Sequence, residues 1–201
     1  MIKEVEVTVR EKVKMVIEMN KIALAKLLIP FAIAGATVLF FLLFLPEELG
    51  KYVTVFSVYT FAPIVGMIAV IPTGLGLGIS PEALTAFIVY TDAVLALFLV
   101  WNFDYARKIP GLGKLVERVE EQGEAALRKY KWAKRFGFIG LVVFVIVPLQ
   151  WTGAGVGSIV GRLIGLTPFM TWLAVILGTF IRSILLIYFG WLITFLVKPF
   201  L

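Results

Sequence analysis

The chain has 201 residues, a formal net charge of +6, no cysteine and no histidine. This composition excludes disulfide bonds, thiol nucleophiles, zinc sites built from histidine and cysteine, and imidazole acid–base catalysis. Hydrophobic residues make up 61% of the chain, charged residues make up 16%, and the mean hydropathy is +1.00. These values are typical of an integral membrane protein, and the continuous apolar runs favour helices over alternating strands.

The N-terminal part predicts a surface helix followed by a membrane span. Residues 1–21 place valines at helical spacing among charged residues, which predicts an amphipathic helix on the membrane surface. A solvated helix without lipid contact is the alternative. Residues 22–45 then form an apolar run long enough to cross a bilayer, and this run ends at Pro46. Because the first residues are charged throughout, we expect no cleavable signal peptide.

The next apolar segment is interrupted. Residues 53–79 contain a break rich in proline and glycine, with Pro72 and Gly74 near its centre. Residues 81–101 form a second uninterrupted span. Residues 102–136 are polar, and their apolar positions follow the spacing of an amphipathic helix. The pattern therefore predicts a broken segment, a span and a cytoplasmic amphipathic segment in that order.

A second broken segment follows the polar region. Residues 137–164 are apolar but are interrupted around Pro148 and Gly153, and a last apolar stretch begins at Pro168. Non-helical backbone inside a bilayer is tolerated only where protein or a water-filled cavity surrounds it. Each broken segment is therefore interpreted as a re-entrant helical hairpin that turns at its proline and glycine residues.

The distribution of lysine and arginine determines the predicted topology. The N-terminal segment has six such residues, residues 102–136 have nine, and the loop at residues 46–52 has only Lys51. Cytoplasmic loops are enriched in these residues, so both basic segments and the N-terminus are expected in the cytoplasm of a plasma-membrane protein. The same location beside lipid headgroups explains the net charge without nucleic acid. An even number of crossings must then separate the basic segments, which makes residues 53–79 the re-entrant one.

A short sequence block that occurs twice in the chain predicts an inverted repeat. The block Gly78-Ile79-Ser80-Pro81 precedes one span, and Gly165-Leu166-Thr167-Pro168 precedes the last. In both blocks a hydroxyl residue can cap a helix whose first position is proline. The expected fold is therefore an all-α integral membrane protein, with a single membrane domain over residues 22–201. It has two inverted repeats of one hairpin and one transmembrane helix, an extra N-terminal span and amphipathic cytoplasmic helices.

Two charged residues lie deep in the predicted spans. Asp92 lies about 16 Å along a helix that begins at Pro81, and Arg182 lies about 21 Å along one that begins at Pro168. A charge at that depth costs about 2.5–3.5 kcal/mol, so each should face a partner or water. We interpret Asp92 as a proton-coupling carboxylate and Arg182 as an anion contact in a central cavity. The alternative is a structural ion pair that only holds the two spans together.

Polar residues of the second hairpin are further candidates for substrate or ion binding. Arg162 either extends to the cytoplasmic interface or binds a phosphate headgroup through its planar guanidinium. Gln150, Thr152 and Ser158 either line the substrate path or satisfy backbone groups freed at the turn. Glycines at every fourth position from Gly153 predict close helix packing rather than a nucleotide loop.

The two broken segments resemble sequence blocks of the small multidrug export protein family, over most of residues 60–190. The matching positions are Pro63, Ile71, Pro72, Gly74, Gly78, Ser80 and Pro81 in the first block, and Pro148, Leu149, Thr152, Gly153, Ala154, Gly157, Gly165 and Leu166 in the second. Gly66 and Ile68 stand where the family has an acidic and a basic residue, and Arg162 stands at a small or apolar position. The role of the family's charged pair is therefore not carried over.

More distantly, the order of segments is similar to that of the DedA-like superfamily. The shared order is a helix entry of the RFGF type, a broken hairpin, a Thr-Pro-Phe step and a long final span. This resemblance implies paired re-entrant hairpins and the movement of lipids or lipid phosphates between leaflets.

These features together predict a transporter without ATP hydrolysis of its own. It would export small amphiphilic compounds or translocate lipid-like or lipid-phosphate substrates, with proton coupling as an option. A non-transporting membrane scaffold is the alternative. The sequence shows no nucleophile–base constellation and no metal cluster, so we expect neither an enzyme nor a cofactor or metal. The expected partners are membrane lipids and the substrate, homo-oligomerisation is left open, and nucleic acid is not expected.

Overall fold

The computed structural model describes residues 2–61, 66–106, 121, 131–147 and 153–197. These residues include no strand, and their seven helices are α1 (Ile2–Phe44), α2 (Pro46–Phe61), α3 (Gly66–Gly76), α4 (Pro81–Ala106), α5 (Lys131–Ile146), α6 (Ala154–Leu163) and α7 (Pro168–Val197). Within the described residues, three stretches are long and apolar enough to cross a membrane: Lys21–Phe44, Pro81–Phe103 and Pro168–Gly190. The predicted class, an all-helical protein of the membrane type, is confirmed.

Helix α1 is continuous, so the segments predicted at residues 1–21 and 22–45 share one helix. Pro30 lies inside it and has no N–H to donate to the carbonyl of Lys26, four residues earlier. The side-chain amide of Asn102 on α4 donates to that carbonyl instead, at 3.1 Å. An interhelical hydrogen bond thus replaces the missing helical one and ties α1 to α4.

The junctions before α4 and α7 share one hydrogen-bonded geometry. Gly78, after α3, and Gly165, after α6, have left-handed backbones with φ of 79° and 88°. The side-chain oxygens of Ser80 and Thr167 each accept a backbone N–H three residues later, at 3.3 Å. These groups satisfy helix ends that would otherwise lack partners. Both helices therefore begin at the prolines that the sequence predicts.

The first broken segment differs from the expectation. Pro72 and Gly74 lie inside α3 and not at a chain reversal. Helices α2 and α3 pack against each other, and residues 62–65 between them lie outside the described residues. Gly74 serves close packing: a Cβ added there would lie 2.5 Å from Leu84 Cδ1. The apolar segment thus stays helical through Pro72, although the proline removes one helical hydrogen bond.

The second broken segment is described on both sides of its predicted turn. Gly137 has a non-helical backbone inside α5 (φ 52°, ψ −119°), where the hairpin of residues 137–164 was expected to begin. Gly153 directly precedes α6, so a new helix begins close to the predicted turn. Pro148 and most of the predicted amphipathic segment at residues 102–136 lie outside the described residues.

Two buried apolar clusters form the core. The first joins α2, α3, α4 and the far part of α7, and contains Val55, Val70, Ile71, Ile79, Leu84, Ile88 and Leu186. The second joins α4, α5, α6 and α7, and contains Ala96, Leu141, Phe144, Val145, Ala154, Val156, Val160, Ala174 and Val175. Each cluster therefore combines helices from one half of the chain with a residue on the long helix of the other half.

Helices α4 and α7 form the central antiparallel pair. Tyr188, far along α7, donates to Glu82 in the first turn of α4 at 3.2 Å, while the middles of the two helices meet at Asp92. Ile88 belongs to the first cluster and Ala96 to the second, and Asp92 lies one helical turn from each. A polar site therefore lies between the two apolar clusters.

Candidate functional site

Asp92 and Arg182 form a buried ion pair between α4 and α7. Arg182 Nη2 lies 3.1 Å from Asp92 Oδ2, and the two residues are 1% and 2% exposed, respectively. An uncompensated charge in such surroundings is costly, which explains why the two side chains contact each other. The structure thus brings together the two charged residues that the sequence places deep in separate spans.

Two hydroxyl groups that the sequence did not single out complete the network. Tyr59 on α2 donates to Asp92 Oδ1 at 2.7 Å, and Thr179 on α7 donates to Oδ2 at 2.6 Å. Arg182 Nη2 also donates to the Tyr59 oxygen at 3.2 Å. Thr179 carries a usable sequence signal, because it lies three residues before Arg182 on the same helix face. Tyr59 carries none, because its position depends on how α2 packs.

Backbone groups of α5 and α6 approach the same charges. Arg182 Nη1 donates to the carbonyl of Val145 at 3.0 Å, in the last turn of α5, where carbonyls have no helical donor. Gly153 lies so close that an added Cβ would be 3.4 Å from both Arg182 Nη2 and Asp92 Oδ2. The N-terminal end of α6 therefore lies beside the Asp92 carboxylate and the Arg182 guanidinium.

Arg162 is separate from this network. Its Nη1 donates to the carbonyl of Leu166 at 2.9 Å, and its guanidinium lies 5.9 Å from the centre of the Phe103 ring. Arg162 therefore stabilises the turn between α6 and α7 and contacts the far part of α4. The structure does not bring it to Asp92.

The remaining predicted residues divide into two groups. Ser158 lies on α6 and is 1% exposed, and its hydroxyl has no hydrogen-bond partner among the described residues. Gln150 and Thr152 lie outside the described residues, together with Pro148. Ser158 is thus the only neutral polar residue proposed for this hairpin that can be located, and it lies in the packed surface of α6.

The central cavity expected from the sequence is not seen where the described residues border Arg182. A narrow crevice beside Tyr59, Ile88 and Leu186 reaches Arg182, but it leaves no space for a water molecule. The charges therefore contact each other and neighbouring hydroxyls in this structure.

The arrangement offers two kinds of electrostatic chemistry. The Asp92 carboxylate is the counter-charge of Arg182, so loss of its charge would leave Arg182 without one. The planar guanidinium of Arg182 is suited to a carboxylate or phosphate group. One contact, between Arg182 Nη2 and Asp92 Oδ2, therefore joins the two groups.

No curated protein and no solved structure matches the chain. Residues 67–185 match the family described as "Putative small multi-drug export protein". The matched stretch begins in α3 and ends in α7 just beyond Arg182, so it includes both charges of the site. Because the match covers more than half of the chain, this protein belongs to the small multi-drug export protein family.

Proposed function

We propose that the protein is a membrane transporter that exports small amphiphilic compounds or moves lipid-like molecules between leaflets. The observation that carries this proposal is the buried Asp92–Arg182 pair at the centre of an apolar helical protein. Ionisable residues inside membrane spans are costly and often mark substrate or proton pathways. The description of the family, which names export, supports the same class of function.

The proposed architecture is an inverted repeat. Five residues recur 87 positions later in the chain: Gly66, Gly74, Gly78, Ser80 and Pro81 correspond to Gly153, Gly161, Gly165, Thr167 and Pro168. A backbone hydrogen bond recurs with them, from Ile79 N to the Gly74 carbonyl and from Leu166 N to the Gly161 carbonyl, both at 3.0 Å. Helices α4 and α7 correspond under this shift but run antiparallel, which supports opposite orientations of the two halves in the membrane.

The same shift relates Asp92 to Thr179, whose side chains hydrogen-bond at 2.6 Å. In a pair of units related by a twofold axis, a residue can contact its own counterpart only near that axis. The charged network would therefore lie at the axis of the repeat. Substrate and coupling-ion sites of many secondary transporters lie at this position.

In the proposed mechanism Asp92 couples transport to protons and Arg182 contacts an anionic or phosphate-bearing group. Protonation of Asp92 removes the counter-charge of Arg182 and so favours binding of the substrate anion. The segments at residues 53–79 and 137–164 would enter the plasma membrane from opposite faces, with the N-terminus in the cytoplasm. This mechanism requires lipids and substrate as partners, but no cofactor, nucleic acid or covalent catalysis.

Transport by the purified protein in liposomes tests the proposal. The wild type should move an amphiphilic dye or a fluorescent lipid phosphate, and Asp92→Asn and Arg182→Gln should each lower the rate about tenfold or more. Gly155→Ala is a matched control, because an added Cβ there meets nothing within 4 Å. Unchanged transport in both charge variants would contradict the assigned roles.

A non-transporting scaffold is the second candidate. The closed crevice favours it, because the charges of the network already satisfy one another. In a scaffold the ion pair would only hold α4 and α7 together. The two candidates differ in the wild-type protein, since a scaffold moves neither the dye nor the lipid phosphate.

A further inference from the structure

Helices α3 and α6 correspond under the 87-residue shift, yet they are packed differently. Seven of the ten residues of α6 are buried. In α3, by contrast, Pro72, Leu75 and Gly76 are exposed. Pro72 and Ile159 correspond under this shift and show the contrast. Pro72 is exposed, whereas Ile159 is buried, with only 5% of its surface exposed. The two halves therefore share a sequence pattern but not the same surroundings.

The contacts between halves show the same asymmetry. Helix α6 packs along α4, which belongs to the other half of the proposed repeat. The corresponding contact, of α3 with α7, involves only a few residues. Helix α6 is thus docked between the two long helices, whereas α3 lies mainly against α2.

The docked position of α6 leaves two hydroxyl groups unsatisfied. Ser158 on α6 and Thr171 on α7 are 1% and 0% exposed, and neither hydroxyl has a hydrogen-bond partner among the described residues. Thr171 faces α6, because a Cβ added at Gly161 would lie 2.8 Å from its Oγ1. Buried hydroxyls without partners oppose the packing that buries them. Release of α6 would remove this cost.

We propose that this structure is one of two end states, and that α3 and α6 exchange their positions in the other. Helix α3 then docks against α7 while α6 leaves α4. The inference rests on the transport function and the repeat proposed above. The Asp92–Thr179 contact lies at the axis of the repeat and is retained in both states. Gly153 approaches the charges in one state, and its counterpart Gly66 approaches them from the opposite side in the other.

This exchange makes the charged network accessible from alternate sides of the membrane. In the present state α6 covers it on the side of the second hairpin, and a narrow crevice beside Tyr59 approaches Arg182 on the side of the first. After the exchange α3 covers it from the side of the first hairpin, and the opposite side is open. A substrate anion held by Arg182 would thus be released on the side opposite to its entry.

Two matched pairs of cysteines test the exchange in a chain that has no native cysteine. Ala96→Cys with Val156→Cys joins α4 to α6, both residues lying in one buried cluster. Ser183→Cys with Ala69→Cys is the corresponding pair under the 87-residue shift, and it joins α7 to α3. A short bifunctional thiol reagent is added to each variant in liposomes. Val100→Cys with Val160→Cys, and Ile187→Cys with Thr73→Cys, form a second set should the first disturb folding.

We expect both pairs to crosslink within one chain and each crosslink to abolish transport. The control is Thr37→Cys with Tyr90→Cys, which joins α1 to α4, where the two native side chains hydrogen-bond. This contact is not exchanged, so its crosslink should leave transport unchanged. Loss of transport in the test pairs alone would therefore report trapped end states.

The outcomes separate this inference from the proposed function. If the α3–α7 pair never crosslinks within a chain while the wild type transports, the exchange is overturned and the transporter stands. If the wild type moves neither probe, the transport proposal fails, and the exchange fails with it because it rests on that function. A product of twice the chain mass from the α3–α7 pair would overturn the exchange, because it would assign the exposed face of α3 to a contact between copies.

Discussion

A buried carboxylate and a buried guanidinium are stable in an apolar interior only when each satisfies the other and their remaining hydrogen-bonding groups find partners. Asp92 meets this condition through Arg182, Tyr59 and Thr179, and Arg182 also reaches the carbonyl of Val145. Loss of one charge therefore affects the other charge directly. The energetic unit is the network and not either residue alone.

Removal of one charge should destabilise the protein more than removal of both. Asp92→Leu leaves Arg182 buried without a counter-charge, which should lower the free energy of unfolding by about 3–5 kcal/mol. Asp92→Leu combined with Arg182→Leu should recover at least half of that loss. Thermal unfolding in detergent measures both effects. A double variant no more stable than Asp92→Leu would show that the pair contributes independently and not as a unit.

The sequence predicts the charges of the site but not all of its contacts. Asp92 and Arg182 are identifiable because a charge within an apolar run is unusual and needs a partner. Tyr59 is not identifiable, because a tyrosine in an apolar segment is equally consistent with an interfacial position. Its contact with Asp92 depends on the packing of α2 against the central helices, which is a tertiary property.

At the scale of helices, glycine determines how closely the shorter elements approach the long ones. An added Cβ would lie 2.5 Å from Leu84 Cδ1 at Gly74 and 2.4 Å from Thr171 Cγ2 at Gly161. The sequence predicts the close approach at Gly161 and the starts of α4 and α7, because both follow from local chemistry, whereas Gly74 was expected at a turn. It does not predict that α3 continues through Pro72, since helix continuation depends on packing as well as on local preference.

A methyl group at Gly161 should weaken the packing of α6. Gly161→Ala places its Cβ 2.7 Å from Leu141 Cδ2 as well as against Thr171, so the helices must separate. We expect a loss of about 1–3 kcal/mol from overpacking. Gly155→Ala, on the same helix but with nothing within 4 Å, should be neutral or stabilise by up to about 1 kcal/mol. Equal unfolding temperatures for the two variants would contradict this packing.

The hydrogen bond from Asn102 on α4 to the Lys26 carbonyl on α1 can be tested together with Pro30, which leaves that carbonyl without its helical donor. Asn102→Leu removes the donor to the Lys26 carbonyl and should cost about 1–3 kcal/mol, because that carbonyl is left unsatisfied. In a Pro30→Ala background the alanine N–H can make the helical bond, so the same change should cost less. Unfolding measurements on the four proteins of this cycle give the coupling. Equal costs in both backgrounds would show that proline does not create the need for Asn102.

At the scale of the whole molecule, the proposed inverted repeat would explain why the charged network lies where it does. Asp92 and Thr179 correspond and touch, and the two apolar clusters lie on either side of them. The sequence indicates the correspondence through its glycine, hydroxyl and proline block. It gives no sign that α6 is docked and α3 is not, because identical patterns are compatible with either position. Under the proposed exchange, that asymmetry would belong to the state and not to the local sequence.

The inverted arrangement makes a prediction about sidedness that one pair of cysteines can decide. Leu77 and Ile164 correspond under the 87-residue shift and lie in the junctions before α4 and α7. Because the two halves are proposed to face opposite ways, Leu77→Cys should react with an impermeant thiol reagent from outside the cell. Ile164→Cys should react only after the membrane is permeabilised. Reaction of both from the same side would mean that α4 and α7 begin on one face of the membrane. The two halves would then not approach the charged network from opposite faces of the membrane. Alternating access through α3 and α6 would be ruled out.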